Sequence, residues 1–158
     1  MKIYMITTVL LSTILQSCSA QSNNNIDFTY QRSFFEEGKI IESFQYNSKT
    51  GVYEYQLSNI GYNKVIKSII INLDQRAKDE IYNLYLKLKP KNLHNCMFEN
   101  GKMAYSSAII FKNISLKNNC NSAIHDELNY KKIEDKLYDF LKATPQYRIE
   151  FKEEFIKR

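Results

Sequence analysis

Three cysteines and two histidines are the residues best equipped for chemistry in this 158-residue chain. His94-x-Cys96 and Cys120-x₄-His125 form a two-Cys, two-His set of the type that holds tetrahedral zinc. The spacing argues against zinc, because structural sites usually present tighter knuckles such as Cys-x₂₋₄-Cys. A catalytic Cys–His pair is a second reading, and it needs a reduced thiolate. A disulfide between Cys96 and Cys120 is the third, and the compartment decides among them. Carboxylates are plentiful: Glu36-Glu37, Asp126-Glu127, Glu134-Asp135 and Glu153-Glu154. Any two of these acids could form a glycosidase pair, although solvated faces and helix ends account for nearly all of them. Gly-x-Ser-x-Gly, His-Glu-x-x-His, the Walker-type phosphate loop and Gly-x-Gly-x-x-Gly do not occur, and four glycines leave little material for phosphate cradles.

The N-terminus supplies the address. After Met1-Lys2, residues Ile3 to Leu15 are apolar or small, too few to span a bilayer and of signal-peptide length. Leu15-Gln16-Ser17-Cys18 follows, an aliphatic residue, two further positions and a cysteine. This resembles the lipobox of bacterial lipoproteins, with Gln16 in place of the commonest small residue. The resemblance covers residues 15–18 and implies cleavage before Cys18, a lipid chain such as palmitate on its sulfur and another on its new amine. Ser19, rather than Asp, implies in that class an outer-membrane destination, facing the periplasm or the cell surface. A plain signal peptide cut after Ala20 is the rival. The domain expectation is therefore a signal peptide over 1–17, a lipidated Cys18 with a polar tether over 18–25, and one domain over 26–158. Export to an oxidising compartment favours the Cys96–Cys120 disulfide over metal; closing a loop of about 25 residues stabilises by roughly 3 kcal/mol. No cofactor is expected.

Which elements position these groups follows from periodicity. Phe28, Tyr30 and Phe34 share one parity between Asp27 and Phe35; Ile40, Glu42, Phe44 and Tyr46 share another; Tyr53, Tyr55 and Leu57 a third. Turn residues at 36–39, 47–51 and 59–63 separate these strands, and β-branched residues over 65–73 read as a buried fourth strand. The period then becomes helical at Ala77, Ile81, Leu84, Tyr85 and Leu88, with Asp74 as N-cap and Pro90 at the exit. Asn100-Gly101 signals a hairpin, followed by strands over 103–111 and 114–117. Tyr130, Ile133, Leu137, Phe140 and Leu141 form a second helical stripe, with Asn129 as cap and Thr144-Pro145 as its end. The tail from Gln146 fits strand or helix. This order predicts an α+β fold, an antiparallel sheet with two main helices packed on it, in a single domain.

Hydrophobic residues at 44%, charged residues at 25% and a net charge of +5 describe a globular chain with a mild basic excess. The lysines are interleaved with acids and arginine occurs only at 32, 76, 148 and 158, so nucleic acid is not an expected partner. Lys87, Lys89 and Lys91 sit at a helix end, where they complement the dipole. Asn113-Ile114-Ser115 is a glycosylation sequon by pattern alone. Twelve tyrosines stand out, and Tyr46, Tyr53, Tyr55 and Tyr62 crowd two adjacent strands and their turns; they are the expected binding face. The functional expectation is a lipid-anchored, non-catalytic binding module of the cell envelope. An immunity or inhibitor protein against an envelope-targeting enzyme is one version, its partner another envelope protein or an incoming effector. A small hydrolase using paired carboxylates and a structural subunit of an envelope complex are the alternatives.

Overall fold

Alternating apolar residues in the first half pair into a meander. The computed structural model describes residues 26–58, 65–112, 114, 120 and 128–152. Strands β1 (Phe28–Glu36), β2 (Lys39–Asn47), β3 (Val52–Leu57) and β4 (Val65–Ile70) run in sequence, followed by helix α1 (Gln75–Leu88). The hairpin β5 (His94–Glu99) and β6 (Lys102–Phe111) comes next, then α2 (Leu128–Ala143) and the short α3 (Pro145–Glu150). The six strands of the described residues join one antiparallel sheet in the order β4-β3-β2-β1-β6-β5, with β5 and β4 at its ends. The expected α+β class with two main helices on an antiparallel sheet is what the chain adopts. Among the described residues no helix is long and apolar enough to cross a membrane.

The tight turns follow from backbone conformation. Glu37 and Gly38 join β1 to β2, and Asn100 and Gly101 join β5 to β6, with φ of 50° and 78° and of 51° and 76°. Positive φ at both central residues matches the twist of the flanking strands, which is why Asn-Gly marks such hairpins. Parity then decides which side chains meet the helices. Phe28 and Tyr30 on β1, Phe44 and Tyr46 on β2, Tyr53 on β3, and Ile109 and Phe111 on β6 are buried with Ile81 of α1 and Tyr130, Ile133, Leu137 and Leu141 of α2. The helix termini behave as their chemistry requires. Asp74 accepts the Ala77 amide at 2.8 Å, and Lys89, in the left-handed region, donates its amide to the Tyr85 carbonyl.

Three expectations are corrected, and the tail, which fitted either strand or helix, is decided. The stretch from Val65 is not a strand covered on both faces: β4 ends at Ile70 on the sheet edge, leaving Ile66 and Ile70 exposed. The hairpin partner of β6 is β5, which precedes the Asn100-Gly101 turn, whereas Ile114 lies outside any strand and 115–117 fall outside the described residues. Asn129 does not cap α2. It lies within the helix and its Nδ2 reaches back to the Leu88 carbonyl at 3.2 Å. Finally, the tail begins as a helix, because Thr144 accepts the Tyr147 amide and Pro145 sits in the first turn.

Candidate functional site: a caged arginine beside a buried glutamate

The inward parity of β1 runs Phe28, Tyr30, Arg32, Phe34, so one arginine stands in a row of aromatic residues under the helices. Helix α2 carries the matching anomaly. Tyr130, Ile133, Leu137 and Leu141 are buried, and Glu134 shares their stripe at 4% exposure. A helix period of 3.6 puts residue 134 beside 130 and 137, so the fold drives a carboxylate into the core.

That carboxylate has donors waiting. The Tyr30 hydroxyl donates to Glu134 Oε1 at 2.9 Å and the Tyr105 hydroxyl donates to the same oxygen at 2.7 Å. Tyr130 completes the layer by donating to Ser107 Oγ at 3.0 Å. Burial, with the Glu134 charge behind it, pushes the Tyr30 and Tyr130 phenols well above their ordinary pKa, and Tyr105 moves the same way for the same reasons. All three therefore stay protonated and act as donors at any physiological pH.

Arg32 is arranged differently. Its guanidinium carbon lies 4.8 Å from the ring centre of Phe34, 5.3 Å from Tyr138, 5.5 Å from Tyr105 and 5.9 Å from Phe44. Burial works against its charge, and the neighbouring Tyr30 and Tyr105 phenols and the Glu134 carboxylate outweigh burial, so its pKa rises above the ordinary value. Among the described residues no carboxylate forms an ion pair with Arg32. Its Nε is buried and has no hydrogen-bond partner among them. The side chain contributes to the wall of a cavity of about 400 Å³ that Phe34, Asn95, Met97, Tyr105, Lys131 and Glu134 also line. Register irregularities at Phe34/Phe35 and at Met97/Phe98 bend the strands beside this cavity.

No protein-family model, curated protein or solved structure matches this chain. The chemistry of the site rests on its own geometry.

A larger cleft of about 570 Å³ lies between the start of α1 and the end of α2, lined by Asp74, Arg76, Glu80, Lys136, Phe140 and Pro145 among others. Its charges are already matched: Glu80 pairs with Arg76 at 3.3 Å and with Lys136 at 3.1 Å, and the Lys136 hydrogen bond leads in holding the Glu80 carboxyl below its usual value. Size therefore favours that cleft and chemistry favours the Arg32 cavity; an unmatched buried donor is the better mark of a binding site.

The structure redistributes the residues that the sequence singled out. Tyr46 and Tyr53 are fully buried, and Tyr55 packs half-buried against the same core. The expected tyrosine binding face is thereby corrected, since the inward parity of β2 and β3 turns these rings under the helices. Tyr46 donates to the Ile71 carbonyl at 3.1 Å, and Tyr53 packs on Tyr147 and Phe151. Tyr62, Cys18, His125, Asp126-Glu127, Asn113 and Glu153-Glu154 lie outside the described residues. Glu36 and Glu37 are exposed at a hairpin, and Asp135 is exposed and pairs with Lys131 at 2.9 Å.

Cys96 and Cys120 come within bonding distance, with their Cα atoms 5.7 Å apart. Residues 94 and 96 point away from the helices, and His94 Nε2 lies 3.4 Å from Cys96 Sγ, 3.2 Å from Cys120 Sγ and 3.1 Å from Ser106 Oγ. Burial lowers the pKa of His94. The three side chains group closely enough to ligate one ion, but only as thiolates, so a sulfur–sulfur bond and a metal exclude each other here. A sulfur–sulfur bond would tie edge strand β5, one wall of the Arg32 cavity, to Cys120.

Proposed function

We propose that this chain is a non-catalytic binding module, tethered to the bacterial cell envelope by lipid on Cys18, that takes its ligand or partner at the Arg32 cavity. One observation carries the reading: Arg32 lines a cavity, and its buried Nε is a donor that no described residue satisfies. A buried unmatched donor costs on the order of 1–3 kcal/mol, a cost that ligand binding can return. Glu134 anchors the wall of the site, its Oε1 accepting from the Tyr30 and Tyr105 hydroxyls. An immunity or inhibitor role remains the favoured version for a small anchored module, with a protein partner that offers an acceptor to Arg32.

Two experiments test the proposal. Intact mass of membrane-extracted protein is expected to show a chain beginning at Cys18 with added acyl mass; a soluble product beginning at Gln21 contradicts the anchor. Capture from native envelopes is then compared between the wild-type chain and Arg32→Gln. The variant is expected to remain folded and lose what the wild type retains. Equal capture by both contradicts the site.

A further inference from the structure

We infer that the Arg32 cavity selects a monoanionic carboxylate carried on an apolar body, an inference that rests on reading the cavity as the binding site. The argument starts from the guanidinium. Aromatic rings attract a cation through their π faces, but they offer no lone pair in line with its N–H bonds. The four rings around Arg32 therefore stabilise its charge and leave its donors unspent, as the unpartnered Nε shows. A planar fork of donors is matched by a planar pair of oxygens, which is the geometry of a carboxylate bound in bidentate fashion.

The charge balance chooses between anions. Glu134 and Glu99 line the same cavity as Arg32 and Lys131, and Lys131 already pairs with Asp135. Two acids beside two bases leave little net positive field, so a dianionic phosphate meets more repulsion here than a single negative charge does. The remaining walls are Phe34, Met97, Ala104 and Tyr105, which favour an alkyl or aryl body next to the acid group. Met97 is 51% exposed, and its flexible thioether can close over such a body. A volume of about 400 Å³ lies within the usual range for small-molecule sites. The carboxylate can belong to a free organic acid or to the C-terminus of a partner chain ending in an apolar residue, and both present the same chemistry.

Calorimetric titration of the intact chain decides. The probes are 3-phenylpropionate, its neutral amide, phenyl phosphate, and a short peptide ending in Phe with a free or an amidated terminus. The free acid, the free-terminus peptide, or both are expected to bind. The matching amide is expected to bind at least about tenfold more weakly, as loss of a charge-assisted hydrogen bond requires. Arg32→Lys keeps the charge and removes the fork, and is expected to weaken acid binding by about tenfold or more while melting as the wild type does. Binding of the small acid alone assigns a free metabolite-like ligand, and binding of the peptide alone assigns a protein terminus. Phenyl phosphate binding more tightly than the acid, or an amide binding equally well, overturns the carboxylate inference. Failure of every probe overturns it too. In each of these cases envelope capture separates the two claims: capture lost in Arg32→Gln leaves the site standing, and capture unchanged removes the site as well.

Discussion

Replacing Glu134 by Ala tests whether the buried carboxylate organises the core around Arg32. The substitution removes two charge-assisted hydrogen bonds, at 2.9 Å from Tyr30 and 2.7 Å from Tyr105. Each such bond contributes about 1.5–3 kcal/mol net. Tyr30 is fully buried, so its hydroxyl has no water to turn to, whereas half-buried Tyr105 recovers part of its loss. Arg32 also loses the nearby negative charge that helps to hold its own. Together these effects amount to about 3–5 kcal/mol, the range for breaking a buried charged network. For a domain of about 130 residues that corresponds to a melting temperature lower by roughly 10–20 °C. Glu134→Gln keeps an acceptor oxygen and is expected to cost only about 1–2 kcal/mol. Urea and thermal unfolding measure both, and a cycle with Tyr30→Phe isolates the pair. Because Phe removes the orphaned donor, the double variant is expected to be about 1–2 kcal/mol more stable than the sum of the single effects. A cost below about 1 kcal/mol for Glu134→Ala, or strict additivity, would refute the network.

Replacing both Cys96 and Cys120 by Ser is expected to lower stability by about 2–4 kcal/mol, and non-reducing mass analysis of the wild type should show two hydrogens missing; two free thiols per chain contradict the bond. Tyr53→Ala is expected to cost about 3–5 kcal/mol, and Tyr46→Phe about 1 kcal/mol through its lost bond to the Ile71 carbonyl, both read by unfolding; a stable Tyr53→Ala protein with selectively lost binding restores the tyrosine face. Acidity and alkalinity should both destabilise, with opposite signs of linkage. His94 has a folded pKa below its unfolded value of about 6.5, so the unfolded chain binds the proton first and stability falls as pH drops through that value; His94→Gln should flatten the slope. Burial raises Tyr46 to about 12, so its contribution is present below about pH 10 and is lost as pH climbs toward the folded value, which unfolding curves at rising pH will show.

Much of the architecture was legible because it depends on period and on turn chemistry. The parity of Phe28, Tyr30 and Phe34, the stripe from Tyr130 to Leu141, the Asp74 cap and the Asn100-Gly101 turn are local signals, and each marks the element observed. Strand β5 carries a weak sequence signal, because His94–Glu99 mixes polar and apolar residues at a sheet edge, where alternation is weak. The site is masked in the sequence because Glu134 sits next to Asp135, and two adjacent acids have the pattern of a solvated face. The usable signal was its place on the apolar stripe, and for Arg32 its place between Tyr30 and Phe34 on the buried parity. Two polar residues on inward faces mark a site more reliably than the tyrosine count, since the rings of Tyr46 and Tyr53 are the core itself. That the two anomalies meet depends on α2 crossing β1, a contact between distant segments that no local pattern contains.

The Arg32 Nε–H signal in nitrogen-15 NMR tests the central claim most directly. Only four arginines are present, and Arg32→Lys assigns the resonance. The account predicts a signal whose exchange slows and whose shift moves as 3-phenylpropionate or the captured partner is added, saturating with the calorimetric isotherm. A signal that stays unchanged while the ligand binds, with perturbations gathered elsewhere on the molecule, would contradict it.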